Sequence, residues 1–162
     1  MDLLQAKSRI AEALVESIFR RACYRIQPFD VEHIPLRFGR EDFSPDFVVG
    51  LGSESGPPQD ILVEVKYRPA IDQFLSVENQ RGARSVFEFA RRQWPALYFV
   101  LVSDRPEPGR SCFQAVPLHD LAPGGPFRSV DLDQLGELKI FRSNLEDHEV
   151  LVRRIFALLA TA

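Results

Sequence analysis

Three side chains able to do chemistry fall close together in the pattern of the chain: Asp46, Glu64 and Lys66. The stretch Ile61-Leu-Val-Glu-Val-Lys-Tyr-Arg-Pro69 is rich in β-branched and aromatic residues and stops at a proline, which predicts a strand over roughly Asp60 to Tyr67. Alternation along a strand puts Leu62, Glu64 and Lys66 on one face and Ile61, Val63, Val65 and Tyr67 on the other. One face is apolar; the other carries a carboxylate and an ammonium. Asp46 lies in Ser44-Pro-Asp-Phe-Val-Val-Gly-Leu51, a second strand entered through a proline. With Gly52 to Gln59 as the connecting turn, the two strands form a hairpin closed by Leu51 and Asp60, and Asp46 falls opposite the stretch from Glu64 to Lys66.

Directly opposed residues in such a pair share a face, so both carboxylates and the lysine converge. Two carboxylates held that close repel, and the pKa of one rises unless a cation stands between them. Mg²⁺ or Mn²⁺ relieves the strain. Mg²⁺ takes oxygen ligands and keeps several waters, so Asp46, Glu64 and a backbone carbonyl, that of Val65, make an open site. Lys66 then supplies a point charge beside an attacking water or the developing phosphorane charge.

The flanking elements have to position these groups. From about Asp2 to Ala22 the residues Ile10, Ala11, Leu14, Val15, Ile18 and Ala22 recur at helical spacing and predict an amphipathic first helix. Glu12 borders its apolar stripe, whereas Glu16 lies further round toward solvent, so Glu12 is the better candidate for a third acid aimed at the sheet. Tyr24 to Phe29 and Ile34 to Phe38 read as short strands. Ser76 is a plausible N-cap for a helix running to about Gln93, with Val77, Ala83, Phe87, Ala90 and Trp94 on its buried side. Gln80 borders that face and Arg84 follows one turn later, placed to orient a water or touch a phosphate. Leu97 to Ser103 is apolar throughout and predicts a central strand covered on both faces. Ser111 to Pro117 gives one more strand, Pro123 to Pro126 a loop, and Leu145 to Leu159 a closing helix. The expectation is one domain over residues 1–162, a mixed central sheet flanked by helices.

These residues resemble the PD-(D/E)xK nuclease superfamily, whose fold is restriction-endonuclease-like. Pro45-Asp46 matches the PD element, Glu64-Val65-Lys66 matches ExK, and Glu12 stands where many members carry an additional acid. The resemblance covers roughly Arg9 to Ser103. It implies an α/β fold with an αβββαβ core, in which Asp46 and Glu64 bind Mg²⁺ and Glu12 adds a ligand directly or through water. It further implies that Lys66 assists hydrolysis and that Gln80 supports the site, as in members with a glutamine on the next helix. The expected activity is metal-dependent hydrolysis of phosphodiester bonds in DNA by an endonuclease of repair, recombination or restriction. The alternative is a noncatalytic module that keeps the fold and binds nucleic acid or protein.

Composition limits the partners. The formal net charge is −3, and lysine occurs only as Lys7, Lys66 and Lys139, so arginine carries most of the positive charge. An acidic chain is a poor nonspecific binder of nucleic acid. Arg68, Arg81 and Arg84, with Arg91 and Arg92, are the candidates for a local phosphate path, and a partner protein supplying positive surface is a further expectation. The closing VLVRRIFALLA offers an apolar face that suits a homodimer and equally suits the monomer's own core. His33, His119 and His148 lack zinc-site spacing, Cys23 and Cys112 lack a CxxC pattern, and no GxSxG or Walker sequence occurs. The start lacks a basic leader ahead of an unbroken apolar run, and no stretch approaches the ~20 apolar residues of a membrane span, so a cytoplasmic location is expected.

Overall fold

The computed structural model describes residues 2–29, 36–38, 41–43, 45–51, 59–120, 122 and 124–161. Along the chain run α1 (Leu3–Arg21), β1 (Arg25–Pro28), β2 (Leu36–Phe38), β3 (Glu41–Phe43), β4 (Phe47–Leu51), β5 (Gln59–Tyr67), α2 (Ile71–Arg81), α3 (Val86–Gln93), β6 (Leu97–Val102), β7 (Phe113–Pro117), β8 (Val130–Asp131) and α4 (Arg142–Ala160). Six strands form one mixed sheet in the order β1-β4-β5-β6-β7-β8, and β2 pairs with β3 in a separate antiparallel hairpin. Only the β5–β6 pair in the large sheet is parallel, because a helical crossover joins those two strands.

Strand β6 shows why helices lie on both sides. All of LYFVLV is buried, and alternation splits it between two cores. Tyr98, Val100 and Val102 join Val63, Val65 and Tyr67 of β5 against α1 and α4, while Leu97, Phe99 and Leu101 pack with residues of α2 and α3. The first helix presents Ala11, Leu14, Val15, Ile18 and Phe19 to the sheet, and its start is fixed by the Asp2 carboxylate, which accepts from the Gln5 N–H at 2.7 Å. On α4, Val152 and Phe156 are buried in the monomer, whereas Val150, Leu151 and Leu158 stay exposed. No helix among the described residues is long and apolar enough to cross a membrane.

The helical region after β5 differs from the expected single helix beginning at Ser76. Pro69 ends the strand, and α2 starts at Ile71, five residues ahead of that serine. The helix stops at Gly82, whose φ of 57° is left-handed, and a 3₁₀ turn over Gly82–Arg84 leads into α3. Ser85 caps α3 by accepting from the Phe87 N–H at 3.1 Å, and the buried Glu78 carboxylate accepts from the Val86 N–H at 3.1 Å. Val77, expected inside, is 43% exposed. The α2–α3 core centres on Phe87, fully buried, with ring centroids of Phe99 at 4.8 Å, Phe127 at 4.9 Å and Phe74 at 5.8 Å. Phe87→Ala is expected to cost about 3–5 kcal/mol in chemical denaturation. A loss under about 1 kcal/mol would mean that α3 is not docked as described.

The expected strand at Ile34 to Phe38 survives as β2, with its first two residues outside the described set, as are Gly52 to Pro58 of the expected turn. Strands β3 and β8 and the 3₁₀ turns at Leu118–Asp120, Leu132–Gln134 and Gly136–Leu138 carry no periodicity of their own and are not expected from the pattern.

Candidate active site

Strand β4 is five residues long and β5 nine, and that mismatch creates the site. The antiparallel ladder runs from Leu51–Gln59 to Phe47–Val63, one residue shifted from the expected Leu51–Asp60 closure. Past Phe47 the ladder ends, and Asp46 stands at the mouth of the hairpin within reach of Glu64. Beyond Val63, β5 keeps its ladder to β6 as far as Tyr67 but has no ladder partner on the β4 side. Leu62 N–H donates to the Ala96 carbonyl at 3.4 Å and Arg68 N–H to that of Val102 at 2.9 Å, so the even-numbered backbone groups face β6. The N–H and C=O of Val65 therefore face the open edge. Asp46 occupies that edge: its N–H donates to the Val63 carbonyl at 2.9 Å, and its Oδ2 accepts from the Val65 N–H at 2.7 Å. A side chain thus takes the donor that a longer β4 would have bonded.

Three carboxyl groups meet at this opening. Asp46 accepts hydrogen bonds from the carboxyl groups of Glu64 and Glu12. Glu64 is 6% exposed, and its Oε1 lies 4.0 Å from Lys66 Nζ. Each acid is held above its ordinary pKa, and burial is the largest cause in every case. For Glu12 the Asp46 charge adds to burial, Arg9 and Lys66 oppose it, and the pKa stands at about 7. Glu64 is pushed well up by burial and by Asp46, against the pull of Lys66. Asp46 is raised by burial alone, and the Val65 N–H, the Glu64 carboxyl, Lys66 and the Glu12 carboxyl all pull it back. Burial and the neighbouring charges thus favour the neutral forms of Glu64 and Glu12, while the Val65 N–H favours the charged form of Asp46.

The donor set fits a hard divalent cation. Burial raises all three carboxyls against the pull of Lys66, and a divalent cation would favour their charged forms further. Asp46 and Glu64 would hold it, with the Val65 carbonyl on the same edge and Glu12 reaching it directly or through water. Among the described residues no group of three or more His, Cys, Asp and Glu side chains stands as a ready-made metal cage. Mg²⁺ needs none, since one or two carboxylates and several waters hold it.

The structure thus brings together Asp46, Glu64, Lys66, Val65 and Glu12. Glu16 stays apart, paired with Arg20 on the surface at 2.8 Å. Gln80 does not face the sheet: Ile71, Leu75 and Glu78 form the buried stripe of α2, and Gln80 lies on the opposite, exposed side. Arg68 is tied to the end of its own strand, donating to the Tyr67 carbonyl at 2.7 Å with its guanidinium 4.6 Å from the Phe74 centroid. Arg81 pairs with Glu78 at 3.4 Å, and Arg84 is exposed in the 3₁₀ turn. Arg9, not singled out from the sequence, is the cation that α1 adds beside Glu12. Its signal was there to read, three residues before Glu12 on the same helical face.

The chain matches no family model, no curated protein and no solved structure. What is established is an α/β protein with a six-stranded mixed sheet flanked by helices.

Proposed function

We propose that the protein is a Mg²⁺-dependent nuclease of the PD-(D/E)xK type, with a restriction-endonuclease-like core, that hydrolyses phosphodiester bonds in DNA. The observation that carries this reading is the meeting of Glu12, Asp46, Glu64 and Lys66 at the open edge of β5, with all three acids held above their ordinary pKa. A structural role gives no reason to gather a buried glutamate and two half-buried acids where a short strand leaves a backbone edge free.

When bound, a divalent ion supplies charge against the phosphoryl oxygens and lowers the pKa of water. The chain's own groups do the rest. Asp46 and Glu64 would hold the ion beside the Val65 carbonyl, which would set where the phosphate stands. Lys66 holds the attacking water and offsets negative charge as it builds on the phosphoryl oxygens. Glu12, beside Asp46 on α1, would reach the ion directly or through one of its waters.

The test is incubation of the purified protein with plasmid, linear, single-stranded and branched DNA in Mn²⁺, Mg²⁺ or EDTA. Cleavage is expected only with metal, and Lys66→Gln is expected to slow it by roughly 10²-fold or more. Wild type that cuts nothing and takes up no metal by calorimetry would leave a binding module on a nuclease-like scaffold.

A further inference from the structure

On the α1–α4 side, at the C-terminal ends of β5 and β6, a cleft of about 430 Å³ opens beside Tyr67 and Phe156. Three cations line it, each from a different segment: Lys7 of α1, Arg105 after β6, and Arg153 of α4. None of them belongs to the carboxyl cluster. Lys7 Nζ lies 5.3 Å from the Tyr67 ring centroid and 5.5 Å from that of Phe156, so two aromatic faces hold the ammonium in place. The rings are themselves fixed. They meet edge to face at 5.0 Å, both are buried, and the Tyr67 hydroxyl donates to Asp104 Oδ1 at 3.0 Å.

Asp104 is the acid in the lining, and it is already engaged by that hydroxyl, with Arg105 Nε at 4.0 Å from its other oxygen. Among the described residues neither Lys7 nor Arg153 is taken up by an ion pair. The cleft therefore carries an excess of positive charge in a protein whose formal net charge is −3. An anion with apolar edges suits it, since the walls are otherwise aromatic and aliphatic.

Its place relative to the carboxyl cluster narrows the ligand. Lys7 precedes Glu12 by five residues on α1, about 7.5 Å along the helix axis. Tyr67 follows Glu64 by three residues on β5, about 10 Å along the strand. Both displacements point the same way. Neighbouring phosphates of one strand stand further apart than the ~3.4 Å axial rise per nucleotide, so a cleft displaced by roughly these distances suits a phosphate close along the same strand to one held at the carboxyls.

We infer that the Lys7–Arg105–Arg153 cleft is a phosphate-binding subsite for the nucleic-acid strand, taking an internal backbone phosphate or a terminal phosphate close along the strand to the bond held at Asp46 and Glu64. Its register rests on the proposed nuclease reading; its anion chemistry does not. The subsite also answers how an acidic chain holds a polyanion without basic character overall.

The deciding experiment is fluorescence anisotropy of short single-stranded and duplex oligonucleotides, with and without a terminal phosphate, in EDTA over a series of salt concentrations. Wild type is compared with the double variants Lys7→Gln/Arg153→Gln and Arg105→Gln/Arg153→Gln. Arg105 is 85% exposed and Arg153 is exposed, so the second pair decides the matter if the first fails to fold in thermal melts.

Binding roughly tenfold weaker, with a log–log salt slope shallower by about 1 for each cation lost, is the expected result. Dependence on the terminal phosphate assigns the site to strand ends; its absence assigns it to internal backbone. Unchanged affinity and slope in the variants, or no binding by wild type, overturns the inference. The same proteins assayed with Mn²⁺ separate the two readings. Lost binding with no cleavage by any of them keeps the subsite and sinks the nuclease, and cleavage by all with unchanged binding does the reverse.

Discussion

Asp46→Asn is expected to lower metal-dependent cleavage by about 10³-fold or more while the protein stays folded. The substitution keeps an oxygen where Oδ2 now accepts from the Val65 N–H, so the junction between β4 and β5 retains its bond. What disappears is the central charge on which Glu12 and Glu64 converge, and with it the ligand that a divalent ion needs most. Glu64→Gln removes the most buried acid of the set and is expected to match that loss of activity. Without metal, both variants should melt at or above the wild-type temperature, because each replaces an acid whose charged form burial disfavours with a neutral amide. A gain of about 1 kcal/mol corresponds to roughly 2–4 °C in a chain of this size. Two measurements check this: cleavage rates in Mn²⁺, and melting curves in EDTA. A variant that loses both activity and fold would show that Asp46 serves to hold the fork and not the chemistry.

The parts of this site that the sequence makes legible are those fixed by short-range geometry. Alternation places Glu64 and Lys66 on one face of β5, and a helical wheel separates Glu12 from Glu16; the structure then pairs Glu16 with Arg20 instead. A one-residue shift in the hairpin register leaves Asp46 beside Glu64 and does not disperse the cluster. Gln80 shows where periodicity misleads. The apolar positions from Val77 to Trp94 read as one helix only because two helices follow each other closely, and the break at Gly82 changes the phase between them. With the start at Ile71, Glu78 takes the inward position and is spent on capping α3. The cationic cleft is not legible at all, since Lys7, Arg105 and Arg153 meet only through tertiary packing of α1, α4 and the end of β6. Local pattern carries no trace of such an arrangement.

Metal-free stability is expected to fall as pH rises from about 5 to 8, and Mg²⁺ to restore it. Glu12 has a pKa of about 7 in the folded protein against an ordinary 4.5, so the fold binds its proton more tightly than the unfolded chain does. That contribution is complete below pH 4.5 and is lost as pH climbs through about 7. Glu64 shifts in the same direction and widens the effect, since burial and the Asp46 charge both favour its neutral form. A divalent ion takes the opposite side of this balance. It binds the ionised cluster, so it must displace protons at pH 6 and finds the site ready at pH 8. At 100-fold excess over Kd, binding adds about 2.7 kcal/mol, or roughly 5–10 °C of melting temperature in a chain this long. The shift on adding Mg²⁺ should therefore be large at pH 8 and small at pH 5. Ordinary surface acids also titrate in this range, and Glu12→Gln isolates the cluster from them: the variant's metal-free curve should be flatter than wild type above pH 5. An Mg²⁺ shift of the same size at both ends, or identical curves for wild type and Glu12→Gln, would mean that these carboxyls do not form the metal site.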